Sequence, residues 1–125
     1  MEIHESAEDY LECILVLRQR LGIVRSIDIV HELNYSKPSV SIAMKRLREN
    51  GYVEMTPEGF ISLLPPGEEI AKRIYHRHQI ITRFLIQLGV EEETAAADAC
   101  KIEHDISEQT FQMLCRYIDA LSEDE

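Results

Sequence analysis

Apolar positions across residues 6–21 recur at helical spacing: Ala7, Tyr10, Leu11, Ile14, Leu15, Leu17 and Leu21 form one stripe, and Gly22 ends it. Ser26 is placed to cap a short amphipathic helix bearing Ile27, Ile29, Val30 and Leu33. Asn34-Tyr35-Ser36 reads as a turn. A third helix then opens with Ser36 as cap and Pro38 in its first turn; its apolar face is Val40, Ala43, Met44 and Leu47, and Gly51 stops it. Residues 52–55 and 60–63 alternate as short strands around the turn Thr56-Pro57-Glu58-Gly59. Helix, turn, helix, hairpin is the order of a winged helix-turn-helix.

Beyond Pro65-Pro66-Gly67, which we expect to break the chain, the period is helical throughout. Glu68-Glu69 suits the start of a long helix, since carboxylates favour the positive end of the helix dipole. It continues through Ile70, Ile74, Ile80, Ile81, Phe84, Leu85 and Leu88 to Gly89. A second helix is expected over about 92–105. Ser107 caps a third, with Phe111, Leu114, Ile118 and Leu121 on one face. The expected fold is therefore mostly α, with a winged helix-turn-helix over 1–64 and an all-helical domain over 65–125. Three short helices cannot cover such stripes by themselves, so the second domain is expected to dimerise.

Composition changes this picture little. Of 125 residues, 45% are apolar and 29% charged, which suits a folded globular chain rather than a disordered one. The acidic start Met1-Glu2-Ile3-His4-Glu5 is unlike a basic secretory leader, and no apolar run is long enough to span a bilayer, so a cytoplasmic protein is expected. Three separated cysteines, Cys13, Cys100 and Cys115, do not form a disulfide framework. Cys13 and Cys115 fall in apolar stripes and read as small core residues.

Charge matters more. The net charge of −10 opposes nucleic-acid binding, but its distribution is uneven. Residues 1–64 hold seven Lys/Arg against ten Asp/Glu, and residues 65–125 hold six against thirteen. Between 25 and 50 the sign reverses: Arg25, Lys37, Lys45, Arg46 and Arg48 oppose Asp28, Glu32 and Glu49. The wheel of the third helix sets Pro38, Ile42 and Lys45, flanked by Ser41 and Arg46, opposite its apolar face. Together with Ser36, Lys37 and Ser39 at the cap, these are the candidate DNA-binding residues. Hydroxyls and cations contact phosphates, and Ile42 suits a thymine methyl. The plainer reading, a solvated helix face, is the commoner one for an isolated helix; the turn and hairpin around this one favour DNA.

Metal-ligating residue types gather at helical spacings. Asp9 and Glu12 are three apart, so both carboxylates share a side of the first helix. Cys100, Glu103 and His104 are spaced to share one face of another, and thiolate, carboxylate and imidazole together suit a divalent transition ion. His78 lies on the long helix, and His76 points away from it by helical phase. Taken singly, the acids read as surface charge and His78 as a polar surface residue; the Cys-x-x-Glu-His triplet is the informative one.

Ala7-Glu8-Asp9-Tyr10-Leu11, the helix-turn-helix, Arg77-His78 and Ala99-Cys100-Lys101-Ile102-Glu103-His104 resemble the diphtheria toxin repressor family, which includes iron-dependent repressors and manganese transport regulators. The resemblance implies a homodimeric transcriptional regulator, with divalent metal as corepressor and a palindromic operator in double-stranded DNA. It also implies a metal set of Asp9, Glu12, His78, Cys100, Glu103 and His104. Asp9 and Glu12 are similar to the manganese branch, which has glutamate where this chain has Cys100; the cysteine is similar to the iron branch. Thr82 and Ala96 stand where the iron branch places further glutamate and histidine ligands, which favours a manganese-type, binuclear cluster. Four negative ligands with two neutral histidines balance two divalent ions. Mn²⁺ or Fe²⁺ is expected, with Zn²⁺ or Co²⁺ able to bind in vitro. Because the chain ends at Glu125, the further C-terminal domain of longer iron repressors is expected to be missing. No nucleophile elbow or phosphate-binding glycine loop supports an enzyme. The remaining alternative is a winged-helix regulator without metal control.

Overall fold

A computed structural model describes residues 5–123, in the order α1 (Glu5–Leu21), α2 (Ser26–Leu33), α3 (Lys37–Glu49), β1 (Val53–Met55), β2 (Ile61–Leu63), α4 (Pro65–Leu88), α5 (Glu92–Ile102) and α6 (Glu108–Glu123). Contacts divide the chain into two compact units, residues 1–73 and 74–125.

In the first unit the stripe of α1 buries Tyr10, Leu11, Ile14, Leu15 and Leu17 among Ile29 of α2, Val40, Met44 and Leu47 of α3, and Val53, Ile61 and Leu63 of the hairpin. Each such aliphatic side chain stabilises the fold by about 1.5–3 kcal/mol relative to exposure. The strands pair antiparallel, Val53 with Leu63, Glu54 with Ser62 and Met55 with Ile61. Ile61 also forms a bridge with Val24, its N–H donating to the Val24 carbonyl at 2.8 Å. That bridge, which no local pattern announces, ties the hairpin to the α1–α2 link.

It also moves a cap. Ser26 was the expected N-cap of α2, but it is the first helical residue. Extended Arg25, next to the bridged Val24, takes the cap position, and its N–H donates to Asp28 Oδ2 at 2.9 Å. Ser36 caps α3 as expected, accepting from the Ser39 N–H. Pro65, Pro66 and Gly67, expected to break the chain, form the first turn of α4 instead. Proline lacks only a donor that the first turn leaves unused, and the Glu68 N–H already reaches the Leu64 carbonyl at 2.8 Å. Gly67 is there for space: a Cβ on it would collide with the Tyr52 carbonyl oxygen, which accepts from the Leu64 N–H.

The second unit combines the rest of α4 with α5 and α6. Its core holds Ile74, Ile81, Ala95, Ala99, Phe111 and Ile118, and the Ser107 hydroxyl caps α6 by accepting from the Thr110 N–H. The second helix of this half, expected to reach about residue 105, stops at Ile102 and leaves 103–105 as a turn. Ile86, Leu88, Met113 and Tyr117 stay exposed.

Candidate metal centre

Ala95, Ala99 and Glu103 follow one another at steps of four along α5, and all three are buried. The two alanines allow close packing, and Glu103 continues their row, so its carboxylate is carried inward. Its N–H donates to the Ala99 carbonyl at 2.9 Å and its backbone stays helical, which preserves the three-residue spacing to Cys100 although α5 has ended. Cys100, one step around the helix from Ala99, is exposed. His104 follows in the turn with only 2% of its side chain exposed. From α4 comes His78, half-buried.

These four side chains converge. His78 Nδ1 is 3.0 Å from Glu103 Oε2 and 3.7 Å from Cys100 Sγ, and His104 Nε2 is 3.5 Å from Glu103 Oε1. Glu103 is wholly buried, yet among the described residues its Oε1 accepts no hydrogen bond. A buried carboxylate is costly without charge compensation. Hydrogen bonds to Cys100 and then to Glu103 push His78 up to about 10, against the opposing effect of burial. In the metal-free protein a proton on His78 thus supplies the compensating charge. One atom each from His78, Cys100 and Glu103 lie within 4.8 Å of one another. Ligands held about 2.0–2.3 Å from one ion are separated by roughly 3–4 Å, so this N, O and S set fits a divalent transition ion with small adjustments. The unsatisfied, buried Oε1 beside His104 fits a cation on the carboxylate's other side.

Asp9 and Glu12 lie a turn apart on α1 in the first unit, both half-buried. His76 is exposed and meets Phe111 edge-on at 5.6 Å between ring centroids, a packing role that accords with its helical phase. Cys13 is buried; burial first, then the nearby Glu32 and Glu12 carboxylates, push its thiol up to about 12, so it stays a neutral core residue. Burial, followed by Asp119 and Glu108, also raises Cys115.

On α3, Lys37, Pro38, Ser39, Ser41, Ile42, Lys45 and Arg46 are exposed, with Ile42 at 54%. Ser36 is exposed too, but its hydroxyl is engaged with Ser39. Arg77 carries a role that sequence reading missed. Its guanidinium donates to the carbonyls of Glu103 and Ile106, both at 3.1 Å, and to Glu108 Oε2 at 2.7 Å. The only local signal was a cation preceding His78, because its acceptors lie twenty-six or more residues away.

Residues 2–60 match the family described as iron dependent repressor, N-terminal DNA binding domain, and residues 65–125 match iron dependent repressor, metal binding and dimerisation domain. The transcriptional regulator MntR of Salmonella typhimurium is 39% identical over 107 residues, covering 86% of this chain and 68% of the relative. The chain belongs to the iron-dependent repressor family, the diphtheria toxin repressor family. It is a transcriptional regulator of that family and not an enzyme. Among solved structures, the IdeR of T. acidophilum superposes with a TM-score of 0.83 at 27% identity, over 95% of this chain and 55% of that one. The manganese regulator SloR gives 0.80 at 25% identity, with the same coverage. The chain thus spans about half the length of these solved structures. No helix of the described residues is long and apolar enough to cross a membrane.

Proposed function

We propose that this chain is a cytoplasmic, metal-controlled repressor that binds a palindromic operator as a homodimer. Residues 1–64 form its DNA-binding domain, and residues 65–125 its metal-binding and dimerisation domain. The observation that carries this reading is the buried Glu103 carboxylate, bonded on one oxygen, unsatisfied on the other, and set among His78, Cys100 and His104. Asp9 and Glu12 join the ligand set through the family resemblance and the charge count. The ions are Mn²⁺ or Fe²⁺: carboxylates and the named manganese regulator favour the former, the Cys100 thiolate the latter. Zn²⁺ and Co²⁺ are expected to bind in vitro.

Bound metal supplies positive charge and directional bonds to a set of mutually repelling anions. Two divalent ions held by these residues would balance the four negative charges of Asp9, Glu12, Glu103 and a Cys100 thiolate. Ions held by these six residues would favour one spacing of the two DNA-binding domains of the dimer, at which each α3 would meet a successive major-groove face. Ser39, Ser41, Lys45 and Arg46 contact phosphates, and Ile42 packs on bases; Ser36, Lys37 and Pro38 set the helix start against the backbone.

Calorimetric titration with Mn²⁺, anaerobic Fe²⁺ and Zn²⁺, on wild type and Cys100→Ser, tests the centre. About two ions per subunit, with manganese binding surviving the substitution, supports a manganese-type switch; one tight ion lost with Cys100 points to iron or zinc. No saturable binding sinks the reading. Glu103→Ala is expected to remain a folded dimer and to lose metal-dependent operator binding. Unchanged metal-dependent repression by that variant removes Glu103 from the mechanism.

A further inference from the structure

Arg77 is a cation with 11% of its side chain exposed, and three acceptors surround it. Two are carbonyls of the link between α5 and α6, at Glu103 and Ile106, and the third is Glu108 in the first turn of α6. The guanidinium also lies over the Phe111 ring, 5.2 Å from its centroid. The Glu103 carbonyl, at the C-terminal end of α5, has no intrahelical donor and sits at the negative end of the helix dipole, so a cation there is favourable. The same link carries Glu103 and His104. Arg77 immediately precedes His78, so one rigid turn of α4 holds both the His78 imidazole and the clamp on the opposing ligands.

We propose that Arg77 is a positioning residue of the metal centre: its bonds to Glu103, Ile106 and Glu108 fix the α5–α6 link, and with it the Glu103 and His104 ligands in register with His78. This inference rests on the reading of the centre as a metal site. Arg77 donates to the Glu103 backbone rather than its carboxylate, so it orients that ligand without occupying its lone pairs. Lysine keeps the charge but cannot bridge several acceptors in one plane.

The test is a Co²⁺ titration of the full chain, followed by the visible ligand-field spectrum, on wild type, Arg77→Met, Arg77→Lys and Glu108→Gln. Changing such outer partners typically weakens metal binding by ~10–100-fold, and Arg77→Met is expected to fall in that range with displaced cobalt bands. Arg77→Lys recovers part of the affinity, and Glu108→Gln moves affinity and bands the same way by a smaller factor. A merely structural role lowers the thermal stability of the metal-free protein but leaves the cobalt bands in place. Wild-type affinity and bands in folded Arg77→Met overturn the proposal. If Arg77→Met does not fold, wild-type values in both Arg77→Lys and Glu108→Gln overturn it. Failure of the wild type to bind Co²⁺ refutes instead the metal reading on which it rests.

Discussion

Hydrogen bonds to Cys100 and Glu103 hold a proton on His78 up to about pH 10, so in the metal-free protein the imidazole is a cation at neutral pH. Metal ligation needs neutral imidazole, so a metal held by His78, as proposed, would displace this proton. Apparent metal affinity therefore rises with pH, by up to about tenfold per unit below pH 10 from this group. Titrations in buffers of different ionisation enthalpy should report proton release near pH 7; release of none removes His78 from the ligand set. The folded-state value lies above the ordinary 6.5, so the contribution to metal-free stability is fully present below that pH. It is lost as pH rises toward 10. The Cys100, Glu103 and His104 spacing was readable because three residues within five positions need only local helical geometry. Arg77 was not, because its acceptors come from a distant link.

Gly67 shows what an element end can demand. Within the first turn of α4 it faces the Tyr52 carbonyl oxygen with no room for a Cβ, and backbone cannot step aside as a flexible side chain can. Gly67→Ala is expected to cost about 1–3 kcal/mol, an overpacking penalty, and to lower the melting temperature by several degrees. An unchanged melting curve contradicts the close approach. The diproline before it shows the limit of local reading. The same residues signal a break and a helix start, and only the helix that follows decides between them. The cap of α2 was misplaced for a related reason. Ser26 has the right chemistry, but the Val24–Ile61 bridge holds the preceding backbone extended and gives the position to Arg25.

At the scale of the molecule, metal and stability are coupled through mass action. A ligand that binds only the folded state adds about 2.7 kcal/mol at a free concentration one hundred times its Kd. Mn²⁺ at that excess is expected to raise the melting temperature, with the chelator EDTA reversing the shift and abolishing operator binding. A melting curve and operator affinity indifferent to both reagents would identify a regulator without metal control. The exposed Ile86, Leu88, Met113 and Tyr117 of the second unit accord with the dimerisation domain matched by residues 65–125.

The order of elements, the winged helix and the spacing of Cys100, Glu103 and His104 followed from the linear pattern, because helical and strand repeats are local and survive without tertiary context. Packing settled the rest. Desolvation made Glu103 a buried carboxylate with one satisfied oxygen, and the α4–α5 approach brought His78 to it across twenty-five positions. Arg77 found its acceptors across a similar distance. Interactions of that kind depend on burial and on contacts between distant segments, neither of which a linear pattern encodes.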